Sequence, residues 1–323
     1  MIAGVVVNVA VSKWFVLRRG WAISIASSGF SFGTMLTPIV ATSVVASFGW
    51  RDAFVVMAVL FWLLMIPAAL VMRSSPEDYG LLPDGRTNTE PSDERGRRDQ
   101  ERVRSDFHGS LTRRQALHTG AFWLLLLAFS LFLANNIAML FHAIPYATGS
   151  GLEAREAGFA FGLTGVSGLV SKLVWGWTLA RYSPQHLSVA AFACALAGTL
   201  LLLVATQLQS ISVLLVAFAA WGFGFGGVTP LSEYMWASYF GRRHLGAVRS
   251  LSVPAQVSAT ALGPLLVALW FDAVGSYDGA FLLMAVVYGV GAVVVSLSHD
   301  PRRLRTQRKR RWPTWEASNL VRI

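Results

Sequence analysis

Cysteine is almost absent from this chain. One residue in 323, Cys194, lies in an apolar run; a lone thiol excludes an intramolecular disulfide framework and reads as a small packing residue. Charge is scarce too. Asp, Glu, Lys and Arg make up 14% of the residues while 54% are hydrophobic, against about 25% charged in ordinary soluble chains. Such a chain points to a polytopic membrane protein. A secretory signal is missing, because residues 1–11, MIAGVVVNVAV, have neither a basic start nor a small-residue cleavage site. There is no Walker A motif, no dinucleotide-binding glycine motif with a ribose-binding acid, and no HExxH. GFGFGG at 222–227 lies inside an apolar run with no strand before it, so it does not read as a phosphate loop. The chain is therefore expected not to be an enzyme, and no cofactor or metal is expected.

What the sequence does hold is long apolar runs. They cover about 21–46, 52–72, 121–147, 157–180, 187–206, 211–237, 246–270 and 277–298, each close to bilayer length. Backbone in lipid must satisfy its own hydrogen bonds, so these runs predict helices. The fold class is all-α: a helical bundle of about eight full transmembrane helices. The run 1–11 is too short to cross and stops at Lys13, like the second half of a ninth.

The net charge of +10 would suggest nucleic acid, but its distribution argues against that partner. Taken alternately, the gaps 12–20, 73–120, 181–186, 238–249 and 299–323 hold 24 of the 27 basic residues; the other gaps hold only Arg51 and Arg155. This bias predicts that the first set is cytoplasmic. The tail RRLRTQRKRRW (302–312) reads as an anchor attracted to anionic lipid. Four parts follow: 1–72 with two spans and a fragment, a linker at 73–120, six spans at 121–298, and a basic tail at 299–323. The linker core, TNTEPSDERGRRDQERVRSD, reads as solvated and flexible, and LTRRQALHTGAFW as a short interfacial helix. GFSFG (29–33), GLTGVSG (162–168) and GFGFGG predict close helix approaches, and Pro38, Pro145, Pro230, Pro254 and Pro264 predict kinks.

Polar residues inside the runs are the candidate chemistry. Lys172 lies well inside 158–182, where a lysine costs about 2.5–3.5 kcal/mol and calls for a polar interior or a partner. Asn135, Met139 and His142 share one helical face, with Asn136 and Tyr146 close by. Trp175 and Gln256 are further candidates for cavity lining. Glu233 is the one acid deep in a run. It reads either as a coupling group or, more simply, as the ion-pair partner of Arg242 and Arg243 at a gate.

Several stretches carry a family resemblance. SKWFVLRRGWAISIASSGFSFG (12–33), SSPEDYGLLPDG (74–85), RRQALHTGAFWLLL (113–126), FHAIPYATGSG (141–151), YFGRRHLGAVRSL (239–251) and ALGPLLVALWFDAVGSYDGAFLL (261–283) resemble the major facilitator superfamily. The nearest branch contains monocarboxylate porters and oxalate/formate antiporters. The resemblance implies the end of helix four and helices five to twelve of a twelve-helix fold with both termini cytoplasmic. Residues 1–72 would be a remnant of the N-terminal half and helices one to three would be missing. It also implies a secondary transporter of a small organic anion, working by alternating access between two halves, with a proton or counter-anion as possible partner. Truncation leaves the alternative of a non-transporting paralogue or sensor.

The same resemblance implies that a basic residue in helix eight meets the substrate carboxylate, which falls here on Lys172. The chain departs from it twice. Helix eleven has Val253, Pro254, Ala255 and Gln256 where oxalate carriers have a lysine, which favours a single carboxylate or a larger polar solute. The loop 176–186 keeps Arg181 as a gating residue but has Ala180 at the acidic position.

Overall fold

The computed structural model describes residues 2–85 and 94–302, with side chains from residue 4 onward except at 30, 34, 35, 38, 39, 41 and 42. The middle of the linker, Pro38's side chain and the tail beyond Arg302 lie outside the described residues. Ten helices form the chain among those residues: α1 (Ile2–Trp14), α2 (Arg19–Val71), α3 (Glu94–His108), α4 (Arg113–Leu117), α5 (Gly120–Gly149), α6 (Ala154–Thr178), α7 (Pro184–Leu208), α8 (Ile211–Phe240), α9 (Leu245–Val274) and α10 (Asp278–Ser296). Seven helical stretches there, Ser43–Val71 and the whole of α5 to α10, are long and apolar enough to cross a membrane. The expected run at 21–46 forms the first part of α2.

Helix α2 is two helices. Its φ/ψ values are helical except at Gly49 (φ 85°, ψ 170°), a conformation that suits glycine and few other residues. Trp14 Nε1 donates to the Arg73 carbonyl at 3.0 Å, joining the residues that flank α2. A straight helix of 53 residues would hold its ends about 80 Å apart. The chain therefore reverses at Gly49, making a hairpin whose tip carries Arg51. Asp84 holds the base of this hairpin. Its carboxylate accepts the backbone N–H of Val16 and Leu17 at 3.0 Å each and of Arg18 at 3.3 Å.

Helices α5 to α10 pack as one unit. Phe132 sits against Phe192 and Tyr288, with ring centroids 4.8 and 5.1 Å apart, and Trp221 Nε1 donates to the Tyr288 hydroxyl at 3.1 Å. The GFGFGG stretch is where α8 meets its neighbours. Gly222 and Gly226 lie against Thr164 and Gly168 of α6, and Gly224 against Ala191 of α7, so close that a Cβ would collide. Small residues let lipid-embedded helices approach without a solvent-driven force. Gly29, Gly33, Gly162 and Gly165 have open space instead, so the close approach expected of GFSFG is not made there, and only Gly168 in GLTGVSG packs tightly.

Among the described residues, Arg19, Arg242 and Arg302, from three of the arginine-rich gaps, gather on Asp106 of a fourth at one end of the bundle. There the linker departs from expectation. Residues 94–108 form α3, which buries Val103 and Asp106, and α4 opens on a capping box between Thr112 and Gln115. Asp106 supplies the reason: one carboxylate is worth a helix when several guanidiniums converge on it. In the N-terminal part α1 packs on α2, α8 and α9, and α2 packs on α6 and α8, while the best span window of Ser43–Val71 has no buried residue.

Candidate functional site

The site lies along the seam between the first arm of α2 and helix α6, which run antiparallel from the basic end. Near that end a Cβ on Gly20 would lie 2.8 Å from Leu179 Cβ, and a Cβ on Gly176 would lie 2.7 Å from Ser24 Oγ. Further in, Lys172 Nζ donates to Ser31 Oγ. Lys172 is 5% exposed, and no carboxylate among the described residues pairs with it. The expectation of a polar partner is met by a hydroxyl, which leaves the charge uncompensated.

Among the described residues, the other buried cations, Arg19, Arg242 and Arg249, are matched. Arg249, in the first turns of α9, lies against Glu233 with Nη2 2.5 Å from Oε1 and Nε 3.2 Å from Oε2. Its Nη1 also reaches Ser252 at 2.6 Å and Gln256 at 3.3 Å. Both members are nearly fully buried. This corrects the sequence expectation for Glu233, whose partner is Arg249. Arg249 reads as a loop residue in the sequence, but α9 starts four residues earlier.

Arg242 pairs elsewhere. It bonds Glu77, reaches the Lys13 carbonyl at 3.4 Å and comes within 3.8 Å of Asp106. Asp106 is a hub: its oxygens lie 2.8 Å from Arg19 Nη2 and 3.2 Å from Arg302 Nη1. Burial alone would raise the Asp106 carboxyl; the Arg19 and Arg302 guanidiniums outweigh it and hold the group below the ordinary carboxylate range. Burial likewise opposes the Arg19 charge, and Asp106 more than restores it. This cluster joins α2, α3, the α8–α9 loop and the residues after α10, closing the basic end. Arg243 and Arg181 are not part of it. Arg243 is exposed beside the Phe107 ring, and Arg181 is exposed over Trp177 at 4.0 Å. Among the described residues, the expected pairing of Arg243 with Glu233 and an ion pair of Arg181 are not made.

The remaining sequence candidates, Asn136 apart, make hydrogen bonds inside the α5–α10 unit. Asn135 Nδ2 donates to the Met284 carbonyl at 2.8 Å, and His142 Nε2 lies 3.1 Å from the Pro264 carbonyl. The Tyr146 hydroxyl donates to Asp278 at 2.5 Å and accepts from Thr206 at 2.9 Å. Trp175 Nε1 donates to the Phe223 carbonyl at 3.1 Å, and Gln256 serves Arg249. Asn136 is buried with an unbonded Oδ1. Of the seven proposed binding residues, Lys172 alone has a bond that crosses to α2. Sequence reading missed Ser24, Ser27 and Ser31, whose spacing of three and four residues was the available signal, and it missed Asp106 among the linker charges.

Seven helical stretches of membrane-crossing length among the described residues, latched at one end beside a seam that buries a lysine, are the architecture of a multi-pass membrane protein. The chain belongs to the Major Facilitator Superfamily, whose family model matches residues 2–264. It is similar to monocarboxylate transporter 12 of Rattus norvegicus, 26% identical over 319 residues, covering 92% of this chain and 63% of that protein. The chain thus spans less than two thirds of that relative. Among solved structures it is similar to the proton:xylose symporter XylE, with TM-score 0.70 at 16% identity, covering 93% of this chain and 70% of that one. FucP in its outward conformation gives TM-score 0.61 at 15% identity, covering 90% and 71%. These two likenesses concern the fold.

Proposed function

We propose that the chain is the working part of a secondary transporter for a small organic monocarboxylate, with Lys172 as the counter-charge. One observation carries the reading: Lys172 is buried at the α2–α6 seam with a hydroxyl and no carboxylate against it. A buried lone cation is costly, and a substrate carboxylate that arrives and leaves compensates it only while bound. Glu233 and Arg249 neutralise each other, so the site adds one positive charge and suits one carboxylate. The similarity to a protein named monocarboxylate transporter 12 supports the same substrate class. Asn135, Asn136, His142, Tyr146, Trp175 and Gln256 act in this reading as the packing that holds α6, α8 and α9 in place around Lys172. The basic end faces the cytoplasm, by the bias of its arginines, and the protein resides in the plasma membrane.

Alternating access assigns the Arg19–Asp106–Arg302 and Arg242–Glu77 contacts to the closed state of the cytoplasmic end. Opening that end breaks them together with the α2–α6 seam. Uptake of radiolabelled acids from acetate to hexanoate into proteoliposomes, at pH 6 and pH 8, tests the reading. Saturable uptake that Lys172→Gln abolishes while the variant stays monodisperse is the expected result. Normal uptake by Lys172→Gln, or no saturable uptake of any acid, overturns it, and binding without flux favours a sensor.

A further inference from the structure

Helix α2 places a run of hydroxyls along the seam. Ser24, Ser27, Ser28 and Ser31 fall within about 100° of one another around the helix, at 100° per residue. All four are buried or half-buried. Ser28 donates to the carbonyl four residues back, Ser24 O, at 2.9 Å, which is the ordinary way a serine satisfies itself inside a helix. Ser24 and Ser27 do not. Their Oγ atoms are buried and have no hydrogen-bond partner, although Ser27 is 5% exposed and Ser24 fully buried. Ser24 Oγ is turned toward α6, 2.7 Å from where a Cβ on Gly176 would stand. One turn further on, Ser31 meets Lys172. Ser27 lies between these two contacts along the helix.

A buried hydroxyl left unbonded is destabilising, and packing alone does not explain two of them on the helix whose next turn meets Lys172. A carboxylate has two oxygens and about four acceptor positions. One ammonium cannot fill them, and hydroxyls are what remains within the seam. We propose that Ser27 is a second binding residue, donating its hydroxyl to the same carboxylate that Lys172 neutralises. The α2 arm then carries part of the anion site, and Ser24 Oγ offers a further donor when the seam loosens. This rests on the anion-site reading of Lys172. It adds that affinity depends on α2 as well as on α6, so that binding and contact between the two helix groups are linked.

The experiment compares Ser27→Ala, Ser27→Thr and Lys172→Gln, measuring binding and uptake of whichever acid of the acetate-to-hexanoate series the parent binds best. Ser27→Ala is expected to raise KM at least fivefold with the maximal rate changed less than twofold, and Ser27→Thr to restore KM to within twofold of the parent. Lys172→Gln removes saturable binding. Parent-like KM in Ser27→Ala, with Lys172→Gln inactive, overturns the role of Ser27 and leaves the lysine site standing. Equal losses of rate in the Ala and Thr variants, with KM unchanged, overturn it too, because they report packing. Parent-like behaviour of Lys172→Gln fells the anion site itself.

Discussion

Replacing Asp106 by asparagine keeps the side chain's shape and removes the charge on which three arginines converge. Asp106 and Arg19 are both nearly fully buried, and removing one partner of a buried pair costs about 3–5 kcal/mol. Arg19 keeps its bonds to the carbonyls of Ser12 and Phe15, and Arg242 keeps Glu77. The loss therefore falls at the low end, about 3 kcal/mol. At about 2–4 °C per kcal/mol, the melting temperature in detergent should fall by about 6–12 °C. Arg302→Gln is the internal control, since that side chain is 21% exposed and an ion pair open to water is worth about 1 kcal/mol or less. The pH dependence has a definite sign. The folded carboxyl is held below its ordinary value, so its stabilisation is complete above the unfolded value, about 3.9, and is lost as pH falls through the folded one. The gap between parent and Asp106→Asn should be constant from pH 5 to 7 and narrow below about pH 4. A fall within 2 °C at pH 7, or a gap that widens in acid, refutes the hub.

Two further perturbations test the seam and the buried pair. Glu233→Gln strands the Arg249 charge and should lower the melting temperature by at least as much as Asp106→Asn, about 3–5 kcal/mol. Adding Arg249→Met should recover most of the loss, and a double variant as unstable as the single one would refute the pairing. Gly176→Ala places a methyl 2.8 Å from Ser24 Cβ, where carbon contacts need about 3.5 Å, so α2 and α6 must part by several tenths of an ångström. In a Cys194→Ala background, a cysteine placed at Ser24 should then react faster with a water-soluble thiol reagent, and an unchanged rate would show that the seam is not what closes this end.

The spans were legible because lipid leaves a chain few choices: long apolar runs must be helices, and even the turn between 46 and 52 coincides with the reversal at Gly49. Lys172 was legible for the same reason, as a cost that needs an explanation. What stayed hidden is pairing. Glu233 has Arg242 and Arg243 nine and ten residues on, and nothing in the sequence tells that Arg249, on the next helix, turns back to it. The linker was hidden more deeply. Its 15-residue α3 is so rich in charge that it reads as solvated, yet one face buries Val103 and Asp106. Tyr146 misled in the opposite sense: a polar group in a span reads as cavity lining, but Asp278 and Thr206 already satisfy it.

The contrast between the two buried basic groups carries the mechanism further than either does alone. Arg249 is held by four fixed partner atoms on α8 and α9, all within one packed unit, so its environment changes little when the helix groups move. Lys172 is held by one hydroxyl on the other group, so any motion of α2 against α6 strips it of its partner. A lone ammonium uncovered in this way is unstable until an anion reaches it. In the proposed transport reading, movement of the seam and occupancy of the site are energetically joined: the anion relieves a cost that opening creates, and its departure makes closure onto Ser31 favourable again. A fixed pair at the same place, such as Glu233 with Arg249, would leave nothing for a substrate to relieve.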